Sequence, residues 1–375
     1  MTVAERRTVA LVFDCDETLC ADTSDFLLME LGQDPIAFWQ EVSNLVRTSH
    51  WDPPLAYMTK ILNLMELKNE AESLENLRKY LGVVGGKVEF HEGVQEMLQQ
   101  LLAIVQEEEE YLDAGVNLEF FVVSGGLEEL IQGTQLNQWG FRPENIVACS
   151  FGTGEGGRPT PKSIVTFTEK TKYLYAINKG IPFPKLKSHP DFVNVPMPPA
   201  ARPVPFENMI YVGDGLSDVP CFSMLNQYGG VGVGVFSERA YGRGYQLAVS
   251  RRIMAGPYRP DYGSGSDIRL FLEQRIKAVA DSIVEEMHGR LSAPESPVLG
   301  RRLQAKLEAL RKEASMLGIS LPKIRLDYQR GLRPPRALSV EEEIELLLGA
   351  IASVQSRKRP SHKQKRPNRP PKKAR

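Results

Sequence analysis

Residues 8–18 read TVALVFDCDET, and this stretch decides the fold. Its apolar run, Thr8–Phe13, breaks off abruptly into acids at Asp14, the pattern of a fully buried strand that ends in a polar loop. In an open parallel sheet the ligand crevice lies at the carboxyl ends of the strands, so Asp14 and Asp16 fall where chemistry is expected. If the chain stays extended, alternation puts these two acids on one side and turns Cys15 to the other. Two carboxylates that close can act as nucleophile and acid–base partner. Alone, a DxDxT pattern is weak; its surroundings give it weight.

Further short apolar runs follow at 118–123 (LEFFVV), 145–150 (NIVACS), 164–167 (IVTF), 208–212 (NMIYV) and 231–236. Several lead into helical patterns, as at 127–138 and 170–179. Strands that alternate with helices predict parallel βαβ units, hence an α/β, Rossmann-like parallel sheet covered on both faces. The first two runs are separated by roughly a hundred residues with apolar positions at helical spacing and no convincing strand. Residues 20–90 are expected to be a helical insertion, and 92–110 the helix that returns to the sheet, with glutamates 107–110 at its solvated end. A helix dipole disfavours acids at a C-terminus, which leaves that boundary open. After the sheet, residues 256–267 (GPYRPDYGSGSD) read as loop, and 268–290, 301–317 and 339–355 as helices.

The chain has 375 residues, 42% of them hydrophobic and 25% charged, which excludes wholesale disorder. No run approaches the roughly 18 apolar residues of a membrane span, and the opening lacks the apolar core of a signal peptide. The four cysteines, Cys15, Cys20, Cys149 and Cys221, form no CxxC pair, so neither a disulfide scaffold nor a zinc site is expected. Cytoplasmic localisation follows as the default expectation. The net charge of −1 hides an asymmetry: residues 357–375 hold 10 Lys or Arg and no acid, which leaves the rest of the chain at about −11. This proline-bearing tail cannot bury apolar surface and is expected to be disordered. Its charge suits nucleic acid or another polyanion, a solvated terminus, or contact with the acidic body itself.

Three more motifs fall on the same crevice. The second run ends in Ser124-Gly125-Gly126 ahead of a helical pattern, where a hydroxyl, two glycines and a helix N-terminus can cradle phosphate. The fifth run ends in Gly213-Asp214-Gly215-Leu216-Ser217-Asp218, whose two acids can converge on a hard cation such as Mg²⁺. Between them, Thr168-Glu169-Lys170-Thr171-Lys172 opens a helix.

With these four motifs in order, residues 8–255 resemble the haloacid dehalogenase (HAD) superfamily of phosphohydrolases, in its phosphoserine-phosphatase-like branch. The resemblance implies that Asp14 is the nucleophile and that Asp16 protonates the leaving alcohol and then activates water. It implies that Thr18, Ser124, Gly125 and a lysine hold the phosphoryl group, and that Mg²⁺ is bound by Asp14, Asp16, Asp214 and Asp218. Counting apolar positions along the helix favours Lys170 over Lys172, which lies about 200° around it. Because a halide leaves without a proton, the second acid Asp16 favours phosphate esters.

The expected organisation is a HAD-like core at 1–19 and 91–262, a helical C1-type cap at 20–90, a C-terminal helical extension at 263–356 and the basic tail at 357–375. The expected activity is Mg²⁺-dependent hydrolysis of a small phosphomonoester through an aspartyl-phosphate. The alternative is a polyanion- or nucleic-acid-associated phosphatase or phosphotransferase directed by the tail. Two departures from the family stand out: Thr23 replaces the cap glutamate of phosphoserine phosphatases, with only Lys60 and Arg47 as candidates for the cap arginine, and the proline-rich segment between Lys170 and Asp214 is unusually long.

Overall fold

The computed structural model describes residues 7–236, 241–250, 252–292 and 297–319, with 343–344, 346–348, 350–351 and 354. The tail at 357–375 lies outside the described residues, as does most of the helix expected at 339–355.

A seven-stranded sheet with strand order β4-β3-β2-β1-β5-β6-β7 forms the centre of the molecule. Its strands are β1 (Thr8–Phe13), β2 (Asn117–Leu127), β3 (Ile146–Thr153), β4 (Pro159–Ser163), β5 (Met209–Gly213), β6 (Val231–Val235) and β7 (Ala255–Tyr258). All neighbouring pairs run parallel except β3 and β4. The chain leaves β1 first to one side of it and later to the other, so the topological switch point, where a ligand crevice opens, lies beside β1. Val9 through Phe13 are fully buried, as a strand covered on both faces requires.

Before β2 the chain builds α1 (Thr23–Glu30), α2 (Pro35–Ser49), α3 (Pro53–Leu67), α4 (Leu74–Gly85), α5 (Val94–Glu107) and α6 (Glu109–Ala114). The insertion is helical because its apolar residues recur at helical spacing between good stops and starts. Asp22 caps α1 by accepting from the Ser24 and Asp25 amides, and Asp34 caps α2 with Pro35 at its first position. After β2 come α7 (Glu128–Gly133), α8 (Phe167–Asn178) and α9 (Phe183–Ser188), then α10 (Val219–Gln227) and α11 (Tyr241–Ser250) around the later strands. The chain continues into α12 (Asp267–Ser292) and α13 (Pro297–Met316). Helix α12 packs on α5, α6, β1 and β7. The Tyr111 hydroxyl donates to Asp281 across 2.6 Å, and buried Tyr262 donates to the Thr18 carbonyl across 2.9 Å.

Four expectations change. The sheet is mostly rather than wholly parallel, because β4 is an antiparallel edge strand. The strand expected at 164–167 lies earlier, at Pro159–Ser163, where an edge tolerates prolines; Phe167 instead opens α8. The loop expected at 256–267 begins inside β7, a second proline-bearing edge. Finally, 92–110 is two helices: α5 stops at Glu107, and Glu109 and Glu110 open α6, where the dipole favours acids.

Candidate active site

Asp14 leaves β1 with its amide still bonded to the Val212 carbonyl of β5 at 2.9 Å. The β1–β5 register pairs Phe13 with Val212, which brings Asp14 level with Gly213 and Asp214 beside it. Across the other neighbour, Phe13 pairs with Val122, so Ser124 emerges at the same edge. Three adjacent strands thus deliver their polar ends to one place.

At its centre lies Lys170, from the first turn of α8 and with no solvent exposure. Its ammonium donates to Asp14 Oδ2 and to Asp218 Oδ1, each at 2.6 Å, with Ser217 Oγ 3.5 Å away. Tyr211, inside β5, donates its hydroxyl to the same Asp218 oxygen at 2.7 Å, and the Gly215 amide donates to Asp218 Oδ2 at 3.0 Å. Asp14, Asp214 and Asp218 place carboxylate oxygens within 4.8 Å of one another, all three buried. Lys172 points elsewhere: it pairs with Glu169 at the helix surface.

The chain does not stay extended past Asp14. The Thr18 and Leu19 amides turn back to the Cys15 carbonyl at 3.2 and 2.8 Å, and Glu17 takes a positive φ of 56°. The Asp16 carboxylate consequently stands apart from the Asp14–Asp214–Asp218 cluster and lies beside the Cys15 and Cys20 thiols. It accepts from the Thr23 amide at 2.8 Å. Its other oxygen reaches over Gly126: a Cβ there would stand 2.5 Å from Asp16 Oδ2 and 3.4 Å from Ser124 Oγ, so only glycine lets these groups converge. Ser124 is fully buried and accepts from the Gly126 amide at 3.0 Å. Thr18 is fully buried, and its hydroxyl has no hydrogen-bond partner among the described residues.

Burial is the main force on the acids. It raises Asp14 to about 7; the Lys170 charge opposes it, and Asp218 adds to it. Asp16 is also raised, by burial first, with the Thr23 hydrogen bonds acting against it. Burial works against the Lys170 charge too, but Asp14 and Asp218 outweigh it and hold the ammonium protonated. Cys15 is pushed up by its contact with Cys20 and by burial, which suppresses thiolate chemistry.

A raised Asp14 marks a place with too little positive charge for its carboxylates. The donor set around it is hard oxygen only, which fits Mg²⁺ rather than a soft metal.

Three participants were not singled out from the sequence. Tyr57 of α3 reaches across from the helical insertion and donates to the Gly125 carbonyl at 2.7 Å. Asp22, raised well above the usual carboxylate range by burial and then by Asp16, adds an acid beside the insertion. Tyr211 braces Asp218. Only Tyr211 left a signal, a phenol within an otherwise apolar strand three residues before Asp214.

No protein-family model matches the chain. A protein of Borreliella burgdorferi (strain ATCC 35210 / DSM 4680 / CIP 102532 / B31), described as uncharacterized, is 27% identical over 240 residues, spanning 58% of this chain and 78% of its own. A solved structure of a phosphoserine phosphohydrolase-like protein from Francisella tularensis subsp. tularensis SCHU S4 covers 70% of this chain and 97% of its own, at 15% identity and a TM-score of 0.38.

Proposed function

We propose that this chain is a Mg²⁺-dependent phosphatase of the HAD kind, acting on a small phosphomonoester. The observation that carries the reading is the buried Lys170 ammonium held between Asp14 and Asp218 at the carboxyl ends of β1 and β5. A carboxylate fixed against a cation at a strand end, with a second acid two residues later, is an arrangement suited to phosphoryl transfer.

Asp14 is the nucleophile. Its Oδ1 accepts from the Cys15 amide at 2.8 Å and its Oδ2 faces Lys170, which fixes the carboxylate's orientation before attack. Attack by one oxygen on phosphorus forms the aspartyl-phosphate as the alkoxide leaves. Asp16, with its pKa raised, gives that alkoxide a proton and then takes one from the water that hydrolyses the acyl phosphate. Lys170, Thr18, Ser124 and the backbone at Gly125 hold the phosphoryl oxygens; the unpartnered Thr18 hydroxyl is the donor available for one of them. Asp14, Asp214 and Asp218 would hold the metal, which when bound neutralises charge on the transferring group and lowers Asp14 into its ionised form. Residues 20–90 act as a cap, and Tyr57 ties it to the end of β2 beside Ser124 and helps exclude water. Of the described residues, those within 1–19 and 91–262 are then the catalytic core and those within 263–356 an extension.

Hydrolysis of p-nitrophenyl phosphate by the full chain, with Mg²⁺ and with excess EDTA, tests the reading. Turnover that needs the metal supports it; turnover that survives complete chelation contradicts the metal assignment.

A further inference from the structure

The long proline-rich segment before β5 plays no part in the chemistry above, yet it walls a cavity. The cavity, of about 550 Å³, opens at the amino end of the sheet, where β1 and β2 begin and α8 ends. It lies at the opposite end of these elements from Asp14, Ser124 and Lys170. Ile181, Phe183 and Val204 of the segment supply apolar wall together with Ile177 and with Phe121, whose ring packs on Phe183 at 5.9 Å.

Its polar lining is unevenly charged. Arg142 is paired with Glu119, and Asn117 and Asn145 turn their amides to the same carboxylate at 3.3 and 3.5 Å. Arg7 has no such partner among the described residues: no carboxylate pairs with it, and its Nε is buried without a hydrogen bond. A half-buried guanidinium with an unsatisfied donor is costly unless something accepts from it. A part-apolar cavity of ligand size, with one guanidinium at its wall that no carboxylate among the described residues pairs, has the composition of a small-molecule site.

We propose that this cavity is a second ligand site, for a small organic monoanion whose carboxylate accepts from Arg7 and whose apolar body lies against Phe121, Ile177 and Phe183. The guanidinium offers parallel donors that match a carboxylate, and the paired Glu119 leaves the cavity's net charge positive. The proposal does not depend on the catalytic reading, since none of the catalytic residues touches the cavity.

The test is titration calorimetry of the full chain with 2-naphthoate, with the neutral 2-naphthylmethanol as comparison. Saturable one-to-one binding of the carboxylate is expected, weakened about tenfold or more by Arg7→Gln through loss of a charge-assisted hydrogen bond. Asn117→Trp, which fills the mouth from an exposed position, should abolish binding, whereas Asp14→Asn should leave it unchanged. Thermal melts of each variant establish that it is folded. Absence of saturable binding up to about 5 mM, equal binding of the alcohol, or undiminished binding by either Arg7→Gln or Asn117→Trp would overturn the proposal. Loss of binding in Asp14→Asn would do so as well, because it would assign the ligand to the catalytic crevice.

Discussion

Tyr57 donates its hydroxyl to the Gly125 carbonyl across 2.7 Å, and so joins the third helix of the insertion to the end of β2 that carries Ser124. Residues 68 positions apart are linked at the point where the helical insertion meets the crevice. The Cys149 thiol also donates to this carbonyl, from 3.4 Å. Tyr57→Phe therefore removes the stronger bond and keeps the ring. Thermal melts should show a loss of about 1 kcal/mol, and steady-state kinetics a raised KM from a looser cap. Unchanged KM and stability would mean that the contact holds nothing in place.

Lys170 and Lys172 are separated by charge environment as well as by angle. Lys170→Met leaves Asp14 and Asp218 facing each other without their ammonium, so phosphatase activity should fall by at least about 100-fold. Lys172→Met removes a pair with Glu169 and a cation–π contact 5.1 Å from the centre of the Tyr173 ring, both away from Asp14, and activity and stability should stay within about 1 kcal/mol of the parent. Kinetic assays of the two variants side by side check this, and the reverse ordering would refute the assignment.

Asp16 should reveal itself through the leaving group. Nitrophenolate departs without a proton, whereas phenolate needs one more acutely. Asp16→Asn is expected to lose about tenfold more activity on phenyl phosphate than on p-nitrophenyl phosphate. Equal losses on both esters would remove Asp16 from the acid role.

His91 gives the protein a pH-dependent stability term. Burial lowers its pKa from the ordinary 6.5, with Glu17 opposing. The native state thus favours neutral imidazole while the unfolded chain binds a proton more readily. This contribution is present above about pH 6.5 and is lost as pH falls through the depressed native value. Denaturant melts at about pH 7.5 and about pH 5.5 should show a smaller difference for His91→Gln than for the parent. An identical difference would mean that His91 does not titrate with folding.

Much of this arrangement was legible in the sequence because three of the four motifs end an apolar run. β1, β2 and β5 are buried on both faces, so their composition is nearly pure hydrophobe, and their polar ends stand out as Asp14, Ser124 and Asp214. The edges were harder. β4 and β7 carry Pro159, Pro161 and Pro257, and no local preference marks such segments as strands; pairing with a neighbour makes them so. Asp16 illustrates a different limit. Alternation placed it beside Asp14, but the turn at Glu17 carries its carboxylate toward Gly126 and Cys20, a long-range outcome that spacing alone does not encode. Tyr57 is equally hidden, because its partner is a backbone carbonyl in a distant strand.

The central claim is that Asp14 becomes covalently phosphorylated. The direct measurement is acid quenching of the full chain during turnover of a ³²P-labelled phosphomonoester with Mg²⁺, followed by counting of protein-bound label. The account predicts label on the parent protein that is released by hydroxylamine, as an acyl phosphate is, and none on Asp14→Asn. Label retained by Asp14→Asn, or turnover by the parent with no label trapped at any quench time, would contradict it.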